Sequence, residues 1–235
     1  MGEEQGRERK DTEHQTDHSQ KAYNGIRGML YRKELVPGQK VSCRDLAERL
    51  DMSLTPVIQA FKYMEYQGFI RHEPRRGYYL TPLSLEELEE IFELRELLEP
   101  ALVPATVERL TQAGKSRLRE ALDAHFSAER EVYLQERLFK NVEFHLTLAS
   151  LSHKATQVRI LRNLFNLLLL KYGGNQASVE TMDSVDEEHR MVFECVVAGD
   201  ARGARDLLLR HVRNVKGQVV ERFRKIMNEI EFPDF

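Results

Sequence analysis

The sequence has little to offer for cross-linking, for crossing a membrane or for binding by bulk charge. Two of its 235 residues are cysteine, Cys43 and Cys195. Both lie in helix-like stretches, and two thiols build no disulfide framework, so a reducing cytoplasm is the expected setting. Thirteen Gly and seven Pro exclude a collagen-like or proline-rich chain. No apolar run approaches the length of a membrane span; the longest, over 164–170, is interrupted by Asn166. The N-terminus lacks the apolar core of a signal peptide. Residues 1–20 contain no Leu, Ile, Val, Phe or Tyr, so they cannot bury enough apolar area to offset the entropy of ordering, and a mobile tail is expected there. His14 and His18 in that tail are read as solvated.

Strong net charge of either sign is missing too. The formal value of -3 excludes a uniformly basic nucleic-acid coat and a uniformly acidic chain. The charge is segregated, however. Residues 21–82 hold 11 Lys/Arg against 6 Asp/Glu, residues 1–20 hold 3 against 6, and the rest hold 21 against 26. A basic segment therefore sits between two acidic ones. The length suits one large domain or two ordinary ones.

Hydrophobic spacing assigns the elements. Tyr23, Ile26, Met29 and Leu30 have helical spacing, and Pro37-Gly38 breaks that pattern. Ser42 caps a short helix through Leu50. Ser53 or Thr55 opens a third helix, with Pro56 in its first turn and Gly68 as its stop. Phe69 to Arg71 and Tyr78 to Leu80 are strand-like, around a polar turn from His72 to Gly77. Three helices followed by a hairpin make a winged helix-turn-helix over 21–82. Six helical stretches follow, at about 84–111, 115–131, 133–151, 154–172, 180–198 and 201–230, with breaks at Gly114, Ser152, Gly173-Gly174 and Gly199-Asp200. Ser84 and Glu87 have capping-box spacing, and Pro100 and Pro104 are expected to kink or divide the first of the six. The fold class is mainly α: a winged helix-turn-helix, then an all-α antiparallel six-helix bundle over 83–235.

A helix that reads the major groove keeps one apolar face on its own domain and exposes polar side chains in its first turns. Val57, Phe61 and Met64 supply the inner face. Ser53, Thr55, Gln59, Lys62 and Tyr63 remain for the outside. Arg44 can reach a phosphate, and Arg75 and Arg76, beside Gly77 at the hairpin tip, can reach phosphate or the minor groove.

The run Leu46-Ala47-Glu48, Met52 to Val57, Ala60-Phe61, Gly68-Phe69-Ile70 and Glu73-Pro74-Arg75-Arg76-Gly77-Tyr78-Tyr79-Leu80 resembles the winged-helix domain of the GntR family of bacterial transcription regulators. The resemblance implies double-stranded DNA as partner, bound by a homodimer on a palindromic operator. Leu54 and Ile58 stand where the family usually has Arg, and Gln59 where it often has Glu. That implies an atypical operator, or weaker binding resting more on Arg44, Thr55, Gln59, Lys62 and the wing.

His145, His189 and His211 fall on three predicted helices, and Asn141 lies one turn before His145. Neutral imidazoles on three helices can meet at one metal, although three scattered histidines alone favour separate core or surface roles. Leu94-Arg95, Leu98-Glu99, Asn141 to His145, Glu188-His189-Arg190, Ala198-Gly199-Asp200 and His211 resemble the FCD ligand-binding domain found behind one branch of GntR winged helices. Six helices look more like its VanR-type than its FadR-type subgroup. The resemblance implies a divalent metal, Zn, Ni or similar, held by Asn141, His145, His189 and His211 beneath an effector pocket. Asn141 stands where many members have Asp, so the site would carry one more positive charge and hold metal less tightly. An open metal position suits a small carboxylate effector, with Arg95 as a second contact or, equally, as the partner of Glu99 at i+4.

Other residues carry plainer readings. His125 and His153 are read as surface or capping residues, Phe165 and Leu167 to Leu170 as bundle core, and Cys195 as packing. The leading function is an effector-responsive DNA-binding regulator rather than an enzyme. Two alternatives stand beside it: a zinc hydrolase using the three histidines, disfavoured because no carboxylate is spaced as a general base, and a regulator with a vestigial pocket.

Overall fold

The structure is a computed structural model that describes residues 18–127, 134–173 and 182–230. They form two compact units, divided between Leu83 and Ser84.

The first unit opens with α1 (18–31), so residues 18–20, read as tail, are already helical. The rest of that tail, His14 included, lies outside the described residues. Strand β1 (Lys40–Val41) leads to α2 (Cys43–Arg49), which Ser42 caps by accepting the Asp45 N–H. Helix α3 (Leu54–Tyr66) ends where Gly68 adopts a left-handed φ of 86°. Strands β2 (Ile70–Glu73) and β3 (Gly77–Leu80) form the hairpin, and β1 adds to β3 in the order β1-β3-β2. Pairs such as Ile70–Leu80 and Glu73–Gly77 set the register. The two-residue β1 was not foreseen, because a strand that short carries no periodicity. Ile26, Val57, Phe61 and Met64 are fully buried at its centre, which gives α3 its inner face.

The second unit is all helical among its described residues: α4 (Leu85–Glu108), α5 (Gln112–Ser127), α6 (Leu134–Ser150), α7 (Ala155–Leu167), α8 (Met182–Ala198) and α9 (Ala201–Ile230). These are the six expected helices. Helix α4 is undivided, with Pro100 and Pro104 inside it, so of the kink or division expected there the division does not occur. One local expectation fails. The break placed at Gly114 lies earlier, because the Thr111 hydroxyl accepts the Gly114 N–H and starts α5 at Gln112. Gly114 is instead a point of close packing: a Cβ there would stand 3.0 Å from Leu151 Cδ2. Gly199, with φ 82°, closes α8, and Asp200 Oδ1 accepts the Gly203 N–H to start α9.

Ser84 caps α4 through the Glu87 N–H, which is half of the expected capping box. The Glu87 side chain does not turn back. It meets Lys171 and Tyr172 on a π-helical turn (Leu168–Tyr172) that continues α7, and the Ser84 N–H goes to the Tyr172 hydroxyl at 3.2 Å. Burial, with Glu87 beside it, raises the Tyr172 phenol. The core gathers Val103, Leu118, Leu122, Phe144, Leu148, Val192, Phe193, Val196 and Leu208, with Cys195 packed at its edge as expected.

Candidate metal centre and DNA-reading helix

Helix α6 supplies His145, α8 supplies His189 and α9 supplies His211; each is buried to 1% exposure or less. Their Nε2 atoms form a nearly equilateral triangle: 3.1 Å from His189 to His145, 3.2 Å from His189 to His211 and 3.2 Å from His211 to His145. Bonds of about 2.0–2.1 Å from a metal to imidazole nitrogen would set such nitrogens about 3.3–3.4 Å apart at tetrahedral angles and about 2.8–3.0 Å at right angles. The observed edges fall between these values. The donors fit a divalent cation.

The outer ring atoms lead to the same conclusion. His145 Nδ1 lies 2.5 Å from Glu99 Oε2, and Glu99 Oε1 accepts from Arg95 Nε at 2.7 Å. His211 Nδ1 lies 2.8 Å from Glu188 Oε2, whose other oxygen accepts from Asn214 at 2.6 Å. Burial alone would raise the Glu99 carboxyl, but His145 and the Arg95 guanidinium outweigh it and hold it down to about 2. Burial lowers His145 to about 4 despite Glu99, and it holds His189 well below the ordinary imidazole value, with the neighbouring rings adding to the effect. A neutral His145 that donates Nδ1–H to Glu99 has its lone pair on Nε2, and the same holds for His211 facing Glu188. Two lone pairs then meet at 3.2 Å. A proton on His189 Nε2 could serve only one of them. A cation at the centre satisfies all three.

Asn141 lies one turn before His145 on the same face of α6 and is half-buried. Arg95 is 3% exposed, bonded to Glu99, with its guanidinium carbon 4.5 Å from the Phe165 ring centroid and 4.9 Å from that of Phe92. The structure thus shows the Glu99 pairing, one of the two readings of Arg95, and extends it to His145. Glu99 and Glu188 were not recognised as outer partners of the histidines. The Arg95–Glu99 spacing signalled the first, while the second depends on how α8 faces α9. His125 corrects the surface reading: it is 1% exposed, and its ring lies edge-on to His189 with centroids 4.9 Å apart. Leu118, Leu122 and His125 share one face of α5, so periodicity sets it beside the core without deciding its burial. His153 is exposed, as expected.

In the first unit Arg44, Ser53, Thr55, Gln59 and Lys62 are all exposed on α2 and α3 or at their starts. Gln59 and Tyr63 also face α1: Ser19 Oγ bonds to the Gln59 amide, and the Tyr23 and Tyr63 rings meet edge to face at 5.1 Å. Arg75 and Arg76 are exposed at the hairpin tip, where Arg75 has φ 64° and Gly77 φ 105°, a value that suits only glycine. Glu73 holds Arg71 at 2.6 Å and leaves Arg76 at 3.7 Å, with 77% of the Arg76 side chain exposed.

A winged helix-turn-helix presenting cationic side chains, joined to a helical unit with a ligand-type histidine centre, defines a DNA-binding transcription regulator. The family model for bacterial regulatory proteins of the gntR family matches residues 18–80, and that of the FCD domain matches residues 90–214. The chain belongs to the gntR family of regulators with an FCD domain. LutR of Bacillus subtilis, an HTH-type transcriptional regulator, is 27% identical over 80% of this chain and 94% of its own length. McbR of Escherichia coli, also an HTH-type transcriptional regulator, is 24% identical over 79% of this chain and 85% of its own. The solved structure of E. coli McbR/YncC superimposes with a TM-score of 0.76 at 22% identity, covering 88% of this chain and 98% of that one, which shows a shared fold. The comparisons give no support to a hydrolase. Both carboxylates next to the histidines are engaged on Nδ1 atoms, not placed as bases.

Proposed function

We propose that this regulator binds a divalent metal in its helical unit and adjusts its DNA affinity to a small carboxylate bound beside that metal. The observation that carries the reading is the triangle of buried Nε2 atoms. His145, His189 and His211 would hold the ion, with Asn141 as a fourth, neutral oxygen donor. The ion supplies a positive centre with an open position for an oxyanion. Arg95, its Nε held by Glu99, keeps its terminal nitrogens for the other end of the carboxylate. Three imidazole nitrogens and one amide oxygen suit zinc, nickel or a similar ion.

The winged unit, from α1 to residue 82, is the DNA reader, and residues 83–235 form the sensor. Thr55, Gln59 and Lys62 face bases and phosphates in the major groove, Ser53 and Arg44 meet the backbone, and Arg75, Arg76 and Gly77 at the wing tip meet phosphate or the minor groove. One short helix reads little sequence, so a homodimer on a palindromic operator supplies affinity and spacing. That partner puts the protein in the cytoplasm. No helix among the described residues is long and apolar enough to cross a membrane.

Metal analysis of protein purified without chelator tests the centre, and calorimetry of metal-loaded protein with small carboxylates tests the pocket. The expected results are about one ion per chain, carboxylate binding only when metal is present, and a carboxylate-dependent change in DNA affinity. A protein that holds no metal and whose DNA affinity no carboxylate alters would sink this function. A regulator whose pocket responds to nothing would hold metal yet show neither carboxylate effect.

A further inference from the structure

The three histidines are not supported alike. His145 and His211 each rest on a carboxylate that is itself held, Glu99 by Arg95 and Glu188 by Asn214. His189 Nδ1 is buried with no hydrogen-bond partner among the described residues. Beside it lies His125, 1% exposed, its ring edge-on to His189 at 4.9 Å between centroids. Both His125 nitrogens are also buried without a hydrogen bond; Nε2 lies 3.1 Å from Asp186 Oδ1 but outside hydrogen-bond geometry. Arg137 grips that same Asp186 oxygen. Among the described residues of this unit four buried side-chain N or O atoms lack a hydrogen bond, and three of them sit on these two touching rings, which needs an explanation.

We propose that His125 is the positioning residue for the third metal ligand, accepting the His189 Nδ1–H when a cation takes the His189 Nε2 lone pair. The assignment rests on the metal reading above. A neutral imidazole that ligates through Nε2 carries its proton on Nδ1, and a buried N–H without an acceptor is costly. Asp186, fixed by Arg137, takes the proton-bearing Nε2 of His125 and so leaves the His125 Nδ1 lone pair for His189. A small turn of the His125 ring closes both bonds and satisfies all three orphan atoms. The third ligand then matches the other two, with its carboxylate acting through an interposed imidazole. Outer partners of this kind orient a ligand ring and raise its basicity.

The test uses the full chain and zinc alone as the probe, with affinity read by chelator competition. His125→Phe keeps a ring and removes both nitrogens; it is expected to weaken zinc binding about 10- to 100-fold. His125→Asn places an oxygen near the position of Nδ1 and is expected to recover most of that loss. Nitrogen-correlated NMR of zinc-loaded wild type should show a His189 Nδ1–H protected from solvent exchange, and this signal should vanish in His125→Phe. The NMR reading needs no variant, so a misfolded substitution leaves the test intact. Unchanged zinc affinity in His125→Phe, equal losses in both variants, or an unprotected Nδ1–H in the loaded wild type overturns the proposal while the metal centre stands. A wild type that binds no zinc overturns both.

Discussion

The winged unit and the helical unit place polar chemistry in opposite ways. The reader keeps an apolar interior and sets its functional groups outside, on helices of seven and thirteen residues and a three-residue hairpin tip. The sensor does the reverse: Arg95, Glu99, His125, Arg137, His145, Asp186, His189 and His211 are all buried. Exposed polar groups await a partner at no cost to folding, whereas buried ones must be satisfied internally or by what they bind. The reader should therefore fold indifferently to its ligand. The sensor should gain stability from its own.

The comparison breaks first at the metal. His145→Ala, His189→Ala and His211→Ala are each expected to take the ion content from about one per chain to near zero, as read by elemental analysis. With excess zinc at 100 times the dissociation constant, wild type should gain about 2.7 kcal/mol of stability, and the variants none. The exposed residues of the reader should show no such linkage. If zinc stabilises the His145→Ala protein as much as wild type, the buried triangle is not the site.

Acid gives the next largest effect. In metal-free protein the folded-state value of His145 lies near 4, below the ordinary value near 6.5, because burial disfavours its charge. Between those values the unfolded chain binds a proton that the folded chain does not, so stability falls as pH drops from 6.5 towards 4. The contribution of His145 is on the order of 3 kcal/mol, and His189 acts in the same direction. Urea midpoints of chelated protein at pH 7 and pH 5 measure about 2 kcal/mol of it, the rest being lost nearer pH 4. His145→Gln should flatten the dependence; an equal slope in that variant would place the effect elsewhere.

How legible each half was in the sequence follows from the same contrast. The reader is made of local signals: Ser42 before a short helix, Gly68 after a longer one, and a Pro-Arg-Arg-Gly turn between strand-like runs. Its outward residues are simply those left over when Val57, Phe61 and Met64 turn inward. The sensor helices were also legible from their periodicity. The wiring between them was not. Glu188 sits beside His189 in sequence yet serves His211, 23 positions on, and Glu99 serves His145 across 46. His125 lay on an apolar face and was still read as surface, because a histidine at that spacing can snorkel or bury with equal ease. Only the packing of α5 on α6 and α8 decides it. Pro100 and Pro104 show the converse, since a strong local breaker yielded to the helix around it.

Salt dependence sharpens the picture of the reader. Lys62→Ala and Arg76→Ala should each lower the slope of log affinity against log salt by about one on any duplex, without moving the melting temperature. Both side chains are exposed, and the ion pair of Arg76 with Glu73, at 3.7 Å, is long. Fluorescence anisotropy on an arbitrary duplex suffices, so no operator has to be known. An unchanged slope in both variants would remove α3 and the wing from the phosphate contacts.

The smallest effect separates two serines. Ser42 and Ser53 both precede helices of the reader, and both are N-cap residues. Ser42 Oγ accepts the Asp45 N–H at 3.3 Å, whereas Ser53 makes no side-chain cap bond. Ser42→Ala should therefore cost about 1 kcal/mol of stability, and Ser53→Ala only a few tenths, within the ordinary range of surface changes. The order should reverse on DNA. In the proposed interface the Ser53 hydroxyl meets the DNA backbone, so its loss should weaken duplex binding by roughly threefold to tenfold, the worth of about one hydrogen bond. Ser42→Ala should leave affinity unchanged once the folded fraction is accounted for. If the two variants lose stability equally and bind DNA alike, Ser53 is a cap and nothing more. In that case reading begins at Thr55, one turn before Gln59.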